Sequence, residues 1–152
     1  MRTCVRSLLT MVILGGCGSQ QTLPQQPQIV VTPGVIYFDS DHGGSWYVGS
    51  TATDGVVITN GGQDPLTIDS VTLSGDSAFS LVQPTPAAPD CDAGATCQKL
   101  TIDRYPDTAS VLLLFKPTTA KTFTATVTIT SNGANDGGTV VIPVRAYGVD
   151  AG

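Results

Sequence analysis

The sequence predicts an all-β protein, an immunoglobulin-like antiparallel β-sandwich of seven to eight strands. Residues 122–130, TFTATVTIT, alternate apolar and Thr side chains without a break, which is the period of a strand with one buried face. Other short apolar runs recur along the chain, separated by Asn-Gly, Asp-Gly and Pro turn signals. No helical period occurs after residue 16, so we expect strands throughout the body of the chain.

The composition agrees with this prediction and excludes some partners. About 41% of the 152 residues are apolar, which is enough for the core of one domain. All 12 acidic residues are Asp, against 7 Lys and Arg, and the chain contains no Glu. Because the few basic residues are scattered, no nucleic-acid partner is expected. We interpret the negative charge as a source of solubility.

The first strands are predicted between residues 29 and 75. Residues 29–39 give one or two strands, and residues 54–75 give two more around an Asn-Gly-Gly turn. In the second of these, Leu66 and Ile68 share one parity, while the apolar residues that follow share the other. A bulge near Asp69 and Ser70 would bring all of them to one face.

The remaining strands are predicted at residues 78–82, 110–115, 122–130 and 139–148. Pro143 lies within the last of them and has no N–H to donate, so it predicts an edge strand or a gap in pairing. The segment that joins residue 82 to the strand at 110–115 is interpreted as an enlarged loop.

The N-terminus has the pattern of an export signal. Arg2 and Arg6 precede an apolar run, residues 7–14, that is shorter than the roughly 20 residues of a membrane span. The run ends Leu14-Gly15-Gly16-Cys17, which resembles the lipobox of bacterial lipoproteins. The resemblance implies cleavage before Cys17, a diacylglycerol on its thiol and an acylated amino terminus. The alternative is an ordinary signal peptide with a chance cysteine.

These observations divide the chain into four parts: a lipoprotein signal peptide (1–16), a polar tether (17–28), an Ig-like domain (29–148) and a tail (149–152). The residue after Cys17 is Gly18 rather than Asp. By analogy with enteric lipoproteins, this predicts a lipid-anchored protein of the bacterial cell envelope at the outer membrane, on its periplasmic or surface face.

Three longer segments resemble a known family. They are YVGSTATDGVVITNGGQDPLTIDSVTLSGDSAFSL, VLLLFKPTTAKTFTATVTITSN and VVIPVRAYG. Together they resemble the abnormal-spindle and hydin Ig-like domains, close to the bacterial choice-of-anchor D repeats. The resemblance implies a sandwich related to the major-sperm-protein and PapD folds, and a binding or architectural module rather than an enzyme. The chain departs from the family in a longer segment before Val48 that carries its single Trp and its single His.

Two clusters are candidates for cross-linking or metal binding. Cys91 and Cys97 bracket five residues of the enlarged loop and predict a disulfide in an exported protein. A metal site is disfavoured there because the nearby Asp residues do not complete four ligands. Residues 39–44, DSDHGG, suggest calcium, but the EF-hand spacing fails and His42 is the only histidine, so we interpret the segment as a solvated loop.

Leu112 and Leu114 are candidates for a partner surface. They point away from the core face that Val111, Leu113 and Phe115 define. Either the enlarged loop or the segment with Trp46 covers them, or they form an exposed apolar patch.

No catalytic residue, metal or cofactor is predicted. The chain has no Gly-x-Ser-x-Gly, no P-loop Lys, one His and no Glu to build an acid–base pair. We therefore expect a non-catalytic, lipid-anchored envelope protein whose single Ig-like domain serves protein–protein interaction or envelope architecture. The alternative is an adhesin or carbohydrate-binding module that uses the loops around Trp46 and around Cys91 and Cys97.

Overall fold

A computed structural model describes residues 22–38, 45–85, 96–103 and 107–150. Nearly all of this part of the chain lies in ten β-strands and the turns between them. The strands are β1 (Ile29–Thr32), β2 (Ile36–Phe38), β3 (Trp46–Tyr47), β4 (Ala52–Asn60), β5 (Leu66–Gly75), β6 (Phe79–Thr85), β7 (Thr96–Ile102), β8 (Thr108–Phe115), β9 (Thr122–Ser131) and β10 (Thr139–Val149). A 3-10 turn, Asp136–Gly138, joins β9 to β10. The described residues include no helix long and apolar enough to cross a membrane.

The strands form two sheets that face each other across one core. The four-stranded sheet has the order β1-β4-β8-β6, and the six-stranded sheet has the order β2-β10-β9-β5-β7, with β3 also paired to β10. All neighbours are antiparallel except β2 and β3, which run parallel to β10. The first order corresponds to the A-B-E-D sheet of immunoglobulin domains, and β10-β9-β5 to the G-F-C sheet. The predicted Ig-like sandwich is therefore confirmed.

The strand count exceeds the predicted seven to eight because two strands have weak sequence signals. β3 has only two residues, and β7 lies inside the segment interpreted as an enlarged loop. β7 is nonetheless paired with β5, with Leu66 opposite Ile102 and Val71 opposite Cys97. Lys99 has a φ of 36°, a left-handed conformation that interrupts the alternation of β7. That interruption hides the strand from a search for period two.

Two local predictions are confirmed. The register of β5 against β9 shifts between Ile68 and Ser70, which is the predicted bulge. Leu66, Ile68 and Val71 are buried as a result. In β10, pairing with β2 begins at Val144, so Pro143 lies next to a gap in pairing, where its missing N–H costs nothing.

The core is built from the inward faces of both sheets. Four phenylalanines form its aromatic centre, and Phe115 is fully buried between the other three. Its ring centroid lies 4.9 Å from that of Phe79, 5.4 Å from that of Phe38 and 5.3 Å from that of Phe123. Because strands from both sheets meet here, this cluster ties the two layers together.

The start of the described chain is packed rather than free. The N–H of Gln63 donates to the carbonyl of Pro24 at 3.0 Å, and the N–H of Asp64 donates to that of Gln25 at 2.9 Å. The N–H of Ala134 donates to the carbonyl of Pro27 at 2.8 Å. Residues 24–28, which the sequence analysis assigns to the tether, therefore supply backbone oxygens that complete two turns of the domain. We call the end of the sandwich that carries these turns the entry end.

Candidate partner-binding surfaces

Several predicted site residues lie outside the described part of the chain. They include Cys17, Cys91 and His42 with the rest of residues 39–44. Cys97 lies in β7 and is described through its backbone, which pairs with Val71 of β5. The lipid anchor and the disulfide therefore stay predictions.

Leu112 and Leu114 lie on the outer face of the four-stranded sheet and are half-buried. Gly55 lies opposite Leu112, and a Cβ at this glycine would be 3.0 Å from Cδ2 of Leu112. Leu112 thus lies against the bare backbone of β4. On its other side Leu112 pairs with Val82 of β6. The neighbouring strands account for part of the burial of Leu112.

The whole outer face of this sheet lacks charge among its described residues. We call it the β1-β4-β8-β6 face. Its exposed valines are Val30 (47%), Val57 (42%) and Val82 (36%). The other outward positions carry Ser, Thr, Gly and the two leucines: Thr32, Thr53, Gly55, Thr59, Ser80, Thr108, Ser110, Leu112 and Leu114. An antiparallel sheet that meets water usually presents polar residues there, and this face combines uncharged polar residues with exposed valines.

Trp46 is not part of that face. It lies in β3, which pairs with β10 of the six-stranded sheet. There Trp46 is opposite Gly148 and packs against the core. Its indole Nε1–H donates to the carbonyl of Phe38 at 3.0 Å. The hydrogen-bond donor of Trp46 is therefore used inside the domain, and the structure does not bring Trp46 together with Leu112 and Leu114.

A second surface, which the sequence analysis missed, gathers three tyrosines. Tyr37 lies opposite Arg145, and Tyr147 is two residues further along β10 on the same side of the sheet. Tyr47 lies opposite Val149, again two residues further. We call the three tyrosines and Arg145 the tyrosine face. Alternate positions on a strand point the same way, but only the parallel pairing of β2 and β3 with β10 assembles this group.

All three tyrosine side chains are exposed: Tyr37 by 54%, Tyr47 by 60% and Tyr147 by 48%. Within the described ranges, no residue bonds to their phenol hydroxyls or forms an ion pair with Arg145. On β9, Thr122 lies opposite Tyr147 and Thr124 opposite Arg145, and both threonines are exposed. The rings thus lie beside a row of hydroxyls.

The far end of the sandwich carries an ion pair between Lys121 and Asp76. Nζ of Lys121 donates to Oδ1 of Asp76 at 2.8 Å, and the N–H of Thr124 donates to Oδ2 at 2.8 Å. The hydrogen bond from Lys121, followed by that from Thr124, lowers the pKa of the Asp76 carboxyl below its ordinary value of 3.8. Nζ of Lys121 also lies 4.7 Å from the ring centroid of Phe123. We interpret this arrangement as structural.

In the described ranges, no three His, Cys, Asp or Glu residues come together in a way that could hold a metal ion. An open pocket of about 220 Å³ at the entry end is lined by Thr101, Ile102, Asp103, Asp107 and Thr108.

No family model and no curated protein matches the chain. Among solved structures, a PapD-like domain of human CEP192 is similar, with 10% identity, coverage of 100% of both chains and a TM-score of 0.48. The protein WR4 of C. elegans, an MSP family member, has 12% identity and a TM-score of 0.46, covering 79% of this chain and 98% of its own. The secreted serine protease VesC of Vibrio cholerae has 15% identity and a TM-score of 0.48, over 71% of this chain.

The chain spans only 22% of the length of VesC. At these identities and TM-scores the similarities carry no argument about function. The Ig-like fold is established by the order and direction of the strands, as described above.

Proposed function

We propose that the chain is a non-catalytic, lipid-anchored protein of the bacterial cell envelope whose Ig-like domain binds another protein. The sequence Leu14-Gly15-Gly16-Cys17 supports the anchor, with acylation at Cys17 and, by the analogy through Gly18, placement at the outer membrane. The family resemblance to hydin and choice-of-anchor D domains supports a binding or architectural role. The disulfide between Cys91 and Cys97 belongs to the same proposal, because exported proteins keep such bonds.

The observation that carries the binding role is the uncharged β1-β4-β8-β6 face. Val30, Val57 and Val82 are exposed on it without a neighbouring charge. Burying such a face against another protein removes apolar surface from water and leaves no charge of this chain to desolvate. The matching partner surface is therefore apolar and uncharged as well.

The anchor is tested by intact-mass measurement of the detergent-extracted protein. The mass should correspond to a chain that starts at Cys17, carries acyl groups and is two hydrogens lighter than the fully reduced form. Cys17→Ala should release the protein from membranes. A mature chain without acyl mass would contradict the anchor, and one that lacks only the two-hydrogen difference would contradict the disulfide.

The binding role is tested by substituting one exposed valine in each sheet. Val57→Lys places a charge on the β1-β4-β8-β6 face, whereas Val141, 59% exposed, lies on the other sheet. A partner cross-linked to the intact protein should be lost with Val57→Lys and Leu114→Asp and kept with Val141→Lys, with unchanged circular dichroism. Equal loss with Val141→Lys would contradict the assignment of the face.

The alternative of an adhesin that uses the loop around Trp46 has less support. The indole of this residue is half-buried and bonded to Phe38. The tyrosine face is a different surface.

A further inference from the structure

Three exposed aromatic rings on one open sheet face are an unusual feature of this domain. Tyrosines bury large apolar areas when they pack, and their hydroxyls usually find a partner once they do. Here the rings of Tyr37, Tyr47 and Tyr147 are each about half exposed, and their hydroxyls bond to no described residue. The domain gains little stability from placing them in water, so a role in binding accounts for them better.

The rings are spaced along one strand direction. Tyr37 is level with Arg145, Tyr147 lies two residues further, and Tyr47 is level with Val149. With about 3.3 Å per residue, the three rows span about 13 Å along β10, in steps of about 7 Å. The rings therefore form an extended track instead of a closed pocket, which suits a chain-like ligand bound across its length.

The chemistry beside the rings is polar but almost uncharged. Exposed Thr122 and Thr124 border Tyr147 and Arg145, and Arg145 adds the planar donors of its guanidinium. In protein interfaces, aromatic anchors lie in a packed, dry centre from which water is excluded. The described positions beside these rings carry two hydroxyls and a guanidinium, with Val149 opposite Tyr47 as the one aliphatic neighbour named here.

We propose that the tyrosine face binds a polysaccharide. A pyranose ring has one face of C–H groups and a rim of hydroxyls. The C–H face fits the negative π face of an aromatic ring, and the rim can bond to threonine hydroxyls and to a guanidinium. Successive sugars would stack on Tyr37, Tyr147 and Tyr47, with Arg145 and the threonines bonding to their hydroxyls.

The tyrosine face lies away from the entry end, near the far end of the sandwich. β10 runs from Thr139 at the entry end to Val149 at the far end; Tyr147 lies in its second half, with which Tyr37 and Tyr47 pair. Residues 24–28 are docked at the entry end, away from this surface. The proposal holds whether or not the chain is acylated.

The test is retention of the purified full chain on three insoluble polysaccharides: chitin, cellulose and isolated peptidoglycan. Retention on at least one of them is expected, with affinity reduced about tenfold by Tyr147→Ala and by Tyr37→Ala. Tyr147→Phe keeps the ring and should keep most of the affinity. Val141→Ala, on an exposed valine of the same sheet, is the matched control and should change nothing.

Each other outcome overturns the proposal. These are retention on none of the three polymers, retention that both alanine variants keep, and equal loss with Tyr147→Phe, which would exclude stacking. Loss of a cross-linked protein in Tyr147→Ala, without retention on any polymer, would assign the face to a protein instead. Val57→Lys should leave polysaccharide binding intact, so the failure of this proposal is distinct from the failure of the protein-binding role proposed above.

Discussion

Asn135 and Ile29 are 106 positions apart, yet the side chain of Asn135 closes both backbone hydrogen bonds of Ile29. The N–H of Ile29 donates to Oδ1 of Asn135 at 2.8 Å, and Nδ2 of Asn135 donates to the carbonyl of Ile29 at 2.7 Å. A single amide thus acts like one more residue of a neighbouring strand. It joins the start of β1 to the turn between β9 and β10, two segments on different sheets.

Asn135→Ala should destabilise the domain. It leaves a partly buried N–H and a partly buried carbonyl without their partner, at a cost of about 1–3 kcal/mol in the free energy of unfolding. Urea unfolding followed by circular dichroism measures it. Gln26→Ala is the control, because this exposed amide makes no side-chain hydrogen bond to a described residue, and we expect a change within about 0.5 kcal/mol. Equal stabilities of the two variants would refute the role of Asn135.

The lowered pKa of the Asp76 carboxyl predicts that the domain loses stability in acid. The pKa of its carboxyl is lowered in the folded state, first by Lys121 and then by Thr124. A carboxyl with a depressed folded pKa stabilises the fold above its unfolded value of 3.8, and this contribution disappears as the pH falls through the lower folded value. The melting temperature of the wild type should therefore fall towards that of Asp76→Asn between about pH 5 and pH 2.

Lys121→Met removes the first of the two causes and leaves the bond from Thr124. It should reduce the pH effect without abolishing it, and added salt should reduce the wild-type effect because the pair is exposed. A constant difference between wild type and Asp76→Asn across the acid range would contradict this account.

Gly75→Ala should be strongly destabilising. Gly75 has a φ of 129°, and an added Cβ would lie 2.5 Å from Cα of Ala125 and 2.6 Å from the carbonyl oxygen of Thr124. Both neighbours are backbone atoms of β9 and cannot rotate away, so we expect a loss of about 2 kcal/mol or more. Gly34→Ala, where a Cβ meets nothing within 4 Å, is the matched control for thermal melting. Similar melting temperatures for both variants would show that β9 yields more easily than its pairing indicates.

Phe115→Ala should cost about 3–5 kcal/mol, because it empties the centre of the four-phenylalanine cluster. Phe115 is fully buried and contacts rings from both sheets. Chemical denaturation is the measurement, and Val141→Ala on the exposed surface should stay within about 0.5 kcal/mol of the wild type. A small loss for Phe115→Ala would mean that the sheets close over the cavity.

The sequence predicted the parts of this fold that local patterns determine. The alternation in β9 and the parity change at Asp69 and Ser70 are features of consecutive residues, and both predictions are confirmed. β7 was missed because the left-handed Lys99 breaks its period, and β3 because two residues contain no period.

The two candidate surfaces differ in the same way. Leu112 and Leu114 were found because they alternate with core residues of one strand. The tyrosine face was missed because its members, at positions 37, 47, 145 and 147, become neighbours only when β2 and β3 pair with β10. No spacing in the sequence encodes that pairing.

The docking of residues 24–28 at the entry end determines how the domain responds to mechanical load. Tension on the N-terminal segment first meets the backbone bonds to Gln63, Asp64 and Ala134. Beyond them it acts along β1, which is antiparallel to β4 from Ile29 to Thr32. When the opposing force acts at the far end of the sandwich, the load lies parallel to the strand axis, so these pairs share it in shear and do not unzip one after another.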